Sequence, residues 1–177
     1  DFAVSLVGLR GAARGLLSAP SLETYHGLSF FDQEAHAIHS LCCASGAKII
    51  SNALGGQETD AAFTAGLLHH MGGLALYTLA PHMFNVVEQG LTTAELCAIE
   101  QELFGLSHAA AGGQLADSWS FPVNIADAIR YHHDPTEAER NNVTIMAVAV
   151  AAAFCDWETQ NDEQHKQTMA LVDAWLK

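Results

Sequence analysis

Residues 61–72 read AAFTAGLLHHMG, an apolar helical stretch that ends in two adjacent histidines. The pattern predicts a helix from Glu58 to Leu68. Glycine adopts backbone angles that other residues avoid, so Gly72 and Gly73 permit a sharp change of direction behind the histidines. We therefore expect a functional turn at this point of the chain.

The rest of the chain has the same helical periodicity and few of the alternating β-branched runs that a large sheet needs. Its 177 residues, half of them apolar, suffice for a single core. Helices are predicted over about 2–17, 32–54, 92–104, 107–119, 122–131, 141–156 and 161–175. Val143 to Val150 also alternates like a strand, but its alanine content and length favour a helix. We predict an all-α, multi-helix bundle that forms one domain over residues 1–177.

The charge balance excludes some classes of partner. With 20 acidic and 7 basic residues, the formal net charge of −13 would repel nucleic-acid phosphates, so nucleic acid is not an expected partner. The uncharged stretch from Asn141 to Cys155 is too short to span a bilayer, and no membrane association is expected. The cysteines form no CxxC pair, which predicts reduced thiols in a cytoplasmic protein. They are Cys42, Cys43, Cys97 and Cys155.

Histidine is the unusual component, because ten histidines outnumber the seven lysines and arginines. Neutral imidazole is a common ligand of transition metals. The candidate metal ligands, chosen by their positions in and at the ends of the predicted helices, are His39, His69, His70, His108, His132 and His133. Adjacent residues on a helix point about 100° apart, so each adjacent pair can face one ion only where the backbone turns between its members.

The helix dipole predicts different charge states for these candidates. His108 lies in a first turn, where the dipole favours neutral imidazole, whereas His132 and His133 lie at a helix end that favours protonation. The other histidines are expected at the surface or in packing contacts, and they are His26, His36, His82 and His165.

Several separated segments of the sequence resemble one known family. Residues 61–72 resemble the helix end that carries the histidine–aspartate doublet of the HD superfamily. Residues 100–112, EQELFGLSHAAAG, and residues 128–135, AIRYHHDP, resemble the pattern of HDOD domains, the HD-related output domains of bacterial signalling. Residues 4–14 and the pair His39–Ser40 fit the same pattern. The resemblance implies an HD-domain-like bundle, a response-regulator output role and further helices upstream of Asp1 in a longer protein.

The resemblance also implies a metal site. Catalytic HD phosphohydrolases hold one or two metal ions with histidines and aspartates, and these ions activate water and bind phosphate oxygens. The positions that match such ligands are His39, His69, His108, His132 and His133. His70 replaces the aspartate of the doublet, and imidazole supplies neither two oxygens nor a negative charge. A second aspartate is expected in the later helix, but residues 143–154 contain no acidic residue and Asp156 falls beyond the expected place.

His70 therefore has two interpretations: it ended catalysis, or it turned an oxygen-rich site into an imidazole-rich one suited to Zn, Ni or Fe. The first functional hypothesis is a signalling module without catalytic residues, which contacts signalling proteins or an upstream sensor or receiver domain; a homo-oligomer stays open. Protonation of all ten histidines would move the formal charge from −13 to −3, so protonation or metal binding could switch such a module.

The alternative hypothesis is a metal-dependent phosphohydrolase that acts on nucleotides or cyclic dinucleotides. In that enzyme Asp134 or Glu102 would have to replace the lost carboxylates. A third interpretation is a helical scaffold whose histidines only form hydrogen bonds in its core.

Overall fold

The computed structural model describes residues 33–80, 91–139, 142–156 and 162–176. Within these ranges the chain forms eight α-helices and one short 3₁₀ helix, and no strand. The α-helices are α1 (Gln33–Ala53), α2 (Thr59–Leu68), α3 (Met71–Leu79), α4 (Thr93–Phe104), α5 (His108–Ser118), α6 (Val123–Arg130), α7 (Val143–Cys155) and α8 (Asp162–Trp175), and the 3₁₀ helix is Pro135–Glu137. The predicted all-α class is confirmed. The helix predicted over 2–17 lies outside the described residues. The same is true of His26 and His82.

Side-chain caps fix where two of the helices begin. At α4 the N–H of Glu95 donates to Thr92 Oγ1 at 3.3 Å, and the N–H of Thr92 donates to Glu95 Oε2 at 2.8 Å. At α5 the hydroxyl of Ser107 accepts from the N–H of Ala110 at 3.3 Å. Because α5 begins directly after this cap, His108 is its first residue.

The core forms around α7, which is helical over its whole length, so the helical interpretation of residues 143–150 is confirmed. Ile145 and Val148 are almost completely buried where α7 packs on α1, α2 and α6. Most other buried positions of the core are alanines, whose small side chains let neighbouring helices approach closely. Of the helices that the structure describes, none is long and apolar enough to cross a membrane.

The contact between α3 and α5 leaves no room for a side chain. A Cβ atom at Gly72 would lie 2.0 Å from the carbonyl oxygen of His108 and 2.3 Å from the amide nitrogen of Gly112. The two helices therefore meet backbone to backbone at the first turn of α5. This contact fixes the position of His108 relative to α3.

The turn predicted at Gly72 and Gly73 is wrong, because both glycines lie inside α3. The chain turns three residues earlier, at His69, which caps the end of α2, and His70, which caps the start of α3. Close approach to α5, rather than a change of direction, is what requires glycine at position 72.

We expect Gly72→Ala to lower the free energy of unfolding by about 3 kcal/mol or more, because the new methyl group meets backbone atoms that cannot move aside. Gly73→Ala is the matched control, since its Cβ would lie 3.4 Å from the Tyr77 ring, an ordinary contact. Alanine is preferred over glycine inside a helix by about 1 kcal/mol, so this variant should be at least as stable as the wild type. Urea denaturation measures both, and equal stabilities of the two variants would contradict the proposed close approach.

Candidate metal centre

Four separate parts of the fold bring imidazoles to one place. They are α1 with His39, the α2–α3 junction with His69 and His70, the start of α5 with His108, and the chain after α6 with His132 and His133. The ring centroid of His70 lies 5.0 Å from that of His39 and 5.4 Å from that of His108. His132 continues the series at 5.5 Å from His108. The structure thus brings together all six histidines singled out in the sequence, and we call them the histidine cluster.

Both pairs of adjacent histidines point into the cluster, because the backbone turns at each pair. His69 is the C-cap of α2 and His70 is the N-cap of α3, and their ring centroids are 3.8 Å apart. His132 and His133 follow the end of α6, and their centroids are also 3.8 Å apart. Neither pair lies on a continuous helix, so both members of each pair can point toward the same space.

Three of the rings are anchored through Nδ1. The Nδ1 of His69 lies 2.7 Å from the carbonyl oxygen of Gly66, and the Nδ1 of His132 lies 2.7 Å from that of Ile129. A carbonyl oxygen only accepts, so Nδ1 donates in both contacts and Nε2 carries the lone pair. The Nε2 of His132 is buried and has no hydrogen-bond partner among the described residues. Buried polar atoms are nearly always satisfied, so this acceptor fits the role of a metal ligand.

Glu100 anchors the third ring. Its carboxylate, completely buried on α4, accepts from the Nδ1–H of His108 and from the backbone N–H of His108, both at 2.7 Å, and from the hydroxyl of Tyr77. Burial alone would raise the pKa of Glu100, but the hydrogen bonds from His108 and Tyr77 hold this pKa below its ordinary value. No role was predicted for Glu100 from the sequence, although an acidic residue at the start of the EQELFGLSH motif was a usable signal.

Burial keeps most of the imidazoles neutral, the form that binds metal. Burial and the nearby ring of His108 lower the pKa of His132 to about 3. His36, whose ring stacks 6.4 Å from that of His70, has its pKa lowered to about 4 by burial and by His39. Burial, followed by the neighbouring imidazoles, also holds the pKa well below its ordinary value in His69, His70 and His133.

His108 is the exception. Burial opposes its protonation, but hydrogen bonds to Cys97 and Glu100 outweigh that effect and raise its pKa to about 9. The dipole-based expectations are therefore wrong in both directions, because His108 has the raised pKa, and His132 and His133 have lowered ones. Burial and a carboxylate at hydrogen-bond distance exceed the effect of a helix end.

Three overlapping groups of donor atoms in the described part of the chain have a spacing that could hold a metal ion. The groups are His39–His69–His70, His70–His108–His132 and Cys97–His108–His133, each with its donor atoms within 4.8 Å of one another. His70 and His108 each belong to two groups, which makes the groups one continuous series. Cys97 was not among the ligands predicted from the sequence, although it precedes Glu100 by three residues on a predicted helix and so shares the face of Glu100.

The carboxylates are arranged differently from the prediction. The Oδ1 atom of Asp156, at the end of α7, lies 3.8 Å from the Nε2 of His39, although the sequence placed Asp156 outside the site. Asp134 instead caps the 3₁₀ helix, where its Oδ1 accepts from the N–H of Thr136 at 3.0 Å. Glu102 is exposed on α4, and none of the three donor groups includes Asp134 or Glu102. The two residues considered as replacements for the lost carboxylates are therefore not placed to serve as such.

This donor set fits a transition metal. Imidazole nitrogen and cysteine sulfur suit Zn, Ni and Fe, whereas Mg²⁺ and Ca²⁺ require oxygen ligands. The anchored rings of His69, His108 and His132 have the arrangement of metal-binding histidines, in which the nitrogen that does not bind the ion donates to an oxygen.

Comparison with solved structures places the fold among known proteins. A protein from Shewanella amazonensis SB2B, provisionally described as a phosphohydrolase, is 25% identical with a TM-score of 0.65, over 81% of this chain and 55% of that chain. An HDOD domain protein of unknown function from Geobacter sulfurreducens is 29% identical with a TM-score of 0.59, over 72% of this chain and 44% of that chain. A fragment of the MmoQ response regulator from Methylococcus capsulatus str. Bath is 25% identical with a TM-score of 0.57, over 79% of this chain and 58% of that chain.

A curated relative from Treponema pallidum (strain Nichols), described as an uncharacterized protein, is 27% identical over 170 residues. The alignment covers 91% of this chain but 33% of the relative. The chain thus spans about a third of this relative and about half of the solved chains. The model of the HDOD domain family matches residues 1–135, well over half of the sequence, and the chain therefore belongs to the HDOD domain family.

Proposed function

We propose that this chain is a cytoplasmic signal-transduction module of the HDOD type that is not catalytic, acts through contacts with other proteins and binds a transition metal in its histidine cluster. One observation carries the proposal: His70 stands inside the cluster, in two of the three donor groups. The HD doublet that the motif resembles has an aspartate at this position. A neutral imidazole with one free nitrogen cannot replace a carboxylate that bridges two cations.

The other carboxylates near the cluster do not restore that function. Glu100 is engaged by His108 and Tyr77. Asp156 lies at the edge of the cluster beside His39, and burial raises its pKa, which disfavours the anionic form that would bind a cation. Hydrolysis by two metal ions, which need bridging and neutralising carboxylates, is therefore poorly supported.

The signalling part of the proposal is supported by membership of the HDOD family and by likeness to a response regulator. We infer that residues 1–177 are one domain of a longer protein with further helices upstream of Asp1, since the chain covers 33% of its curated relative. The partners would be an upstream sensor or receiver domain or another signalling protein, and a homo-oligomer is compatible with this role.

A bound ion would be Zn, Ni or Fe. The ligands available to it are His39, His69, His70, His108, His132 and His133. Each donor group joins two or three separate parts of the fold, so an ion held there would cross-link those parts and couple metal binding to folding. That coupling gives a signalling domain two states that differ in rigidity.

We expect protein purified without an affinity tag to contain a stoichiometric amount of Zn, Ni or Fe by elemental analysis. The double variant His69→Ala/His132→Ala should lose this metal, because it removes two anchored rings of the cluster. His165→Ala is the matched control, since His165 lies on α8 and outside all three donor groups. Absence of metal from the wild type, or equal metal in the wild type and the double variant, would contradict the site.

The metal-free protein should lose stability as the pH falls below 6.5. His132 and His36 stay neutral in the folded protein down to about pH 3 and 4, whereas the unfolded chain protonates them near pH 6.5. The unfolded state then binds more protons, and the contribution of each of these histidines approaches about 1.4 kcal/mol per pH unit as the pH falls well below 6.5. His108, with its raised pKa, is protonated in the folded protein throughout this range, so it partly offsets the slope near pH 6.5 and little below pH 5.5.

Urea denaturation of chelator-treated protein between pH 6.5 and 5.5 measures this slope. His36→Gln should reduce this slope by an amount that rises from about half a proton at pH 6.5 toward one proton at pH 5.5, because the ring at the edge of the cluster no longer titrates on unfolding. Stability that is constant or rises toward pH 5.5 would show that the folded protein accommodates charged imidazoles.

The alternative function is a metal-dependent phosphohydrolase. Two observations favour it, the contact between Asp156 and His39 and the likeness to the protein from Shewanella amazonensis. In such an enzyme, bound metal would activate water and bind phosphate oxygens. Asp156 would then supply negative charge at the edge of the cluster.

For the reasons given above, we expect no phosphate release from nucleotides or cyclic dinucleotides in the presence of Mn, Fe, Ni or Mg. The comparison is between the wild type, His69→Ala and Asp156→Asn, each tested with the same substrate panel. Turnover by the wild type that both substitutions abolish would establish the phosphohydrolase and overturn the non-catalytic proposal.

A further inference from the structure

We propose that Cys97 is a metal ligand, which gives the centre a position with one sulfur and two nitrogen donors. This inference rests on the transition-metal binding proposed above. It goes beyond that proposal because a thiolate changes which ions the centre selects.

The proposed metal position is formed by Cys97 on α4 and by two histidines from other parts of the fold. The donor atoms of Cys97, His108 and His133 lie within 4.8 Å of one another. The Nε2 atoms of His108 and His133 are 2.8 Å apart, so both rings present the same nitrogen to one space. Glu100 already engages the Nδ1 of His108, which leaves Nε2 as the nitrogen available to an ion.

The neighbouring ring gives an independent sign of a ligand. His132 lies 3.8 Å from His133 and 5.5 Å from His108, measured between ring centroids. Within the part of the chain that the structure describes, its buried Nε2 has no hydrogen-bond partner, whereas its Nδ1 donates to the carbonyl oxygen of Ile129. This nitrogen belongs to the group with His70 and His108, so it supports an ion at His108, the ring that this group shares with the group of Cys97 and His133.

The chemistry of sulfur sets the choice of ion. On binding, the thiol proton of Cys97 and the Nε2 proton of His108, which its raised pKa retains, would both pass to solvent, and lone pairs of the sulfur and the nitrogen would form the bonds to the metal. A Cys–His–His set suits Zn²⁺ and Co²⁺ and is a poor site for Mg²⁺ or Mn²⁺, which prefer oxygen. Among the described residues Cys97 is the cysteine that belongs to a donor group, while Cys42 is exposed on α1 and Cys43 is buried in the core.

Cobalt(II) is the probe that separates this inference from the proposal on which it rests. Metal-free, reduced protein is titrated with Co²⁺ without oxygen, and its absorption spectrum reports both the bound ion in the visible range and a sulfur ligand in the near-ultraviolet. We expect the wild type to show an intense sulfur-to-cobalt charge-transfer band, and Cys97→Ser to lose it while it retains visible cobalt bands from the histidines. Cys42→Ser is the matched control and should keep both features.

The affinity for Zn²⁺, measured by competition with a coloured chelator, should fall by about tenfold or more in Cys97→Ser and remain unchanged in Cys42→Ser. Visible cobalt bands without a charge-transfer band in the wild type would overturn the role of Cys97 and leave the histidine site intact. A charge-transfer band that persists in Cys97→Ser would also overturn it. Absence of any bound cobalt from the wild type would overturn both proposals. A sulfur-to-cobalt band that survives in His69→Ala/His132→Ala would support Cys97 as a metal ligand and would count against His69 and His132 as ligands of that ion.

Discussion

The hydrogen bonds of the Glu100 carboxylate are the interaction on which the centre depends. A completely buried carboxylate is costly unless it is paired, and Glu100 is paired with both the ring and the backbone of His108 and with Tyr77. These contacts tie α4 to the start of α5 and to α3. They also determine which nitrogen His108 presents to the cluster. Among the described residues, Glu100 is the acidic residue whose side chain is completely buried.

The ends of helices were predictable from sequence because they are local. The Thr92–Glu95 capping box and Ser107 lie within a few residues of the groups that they cap, so periodicity and side-chain chemistry located α4 and α5. The histidines of the cluster could be singled out for a related reason, since most of them lie at such ends. The family motifs then indicated the helical bundle.

What the sequence could not supply depends on packing between distant elements. Gly72 looked like a turn residue because its contact with α5 involves residues 36 and 40 positions away. The charge states of His108 and His132 were inferred from their helix ends, but burial and Glu100 decide them. In the same way Asp156 lies beside His39 only because α7 packs against α1.

His108 belongs to two donor groups, and this limits where an ion could bind. With Nδ1 engaged by Glu100, this ring has one nitrogen to give, yet it belongs both to the all-imidazole group with His70 and His132 and to the group with Cys97 and His133. An ion bound at either of the proposed positions would therefore withdraw a ligand from the other. The two positions would be competing alternatives for one ion, and a harder or softer metal would settle at different ends of the same series of side chains.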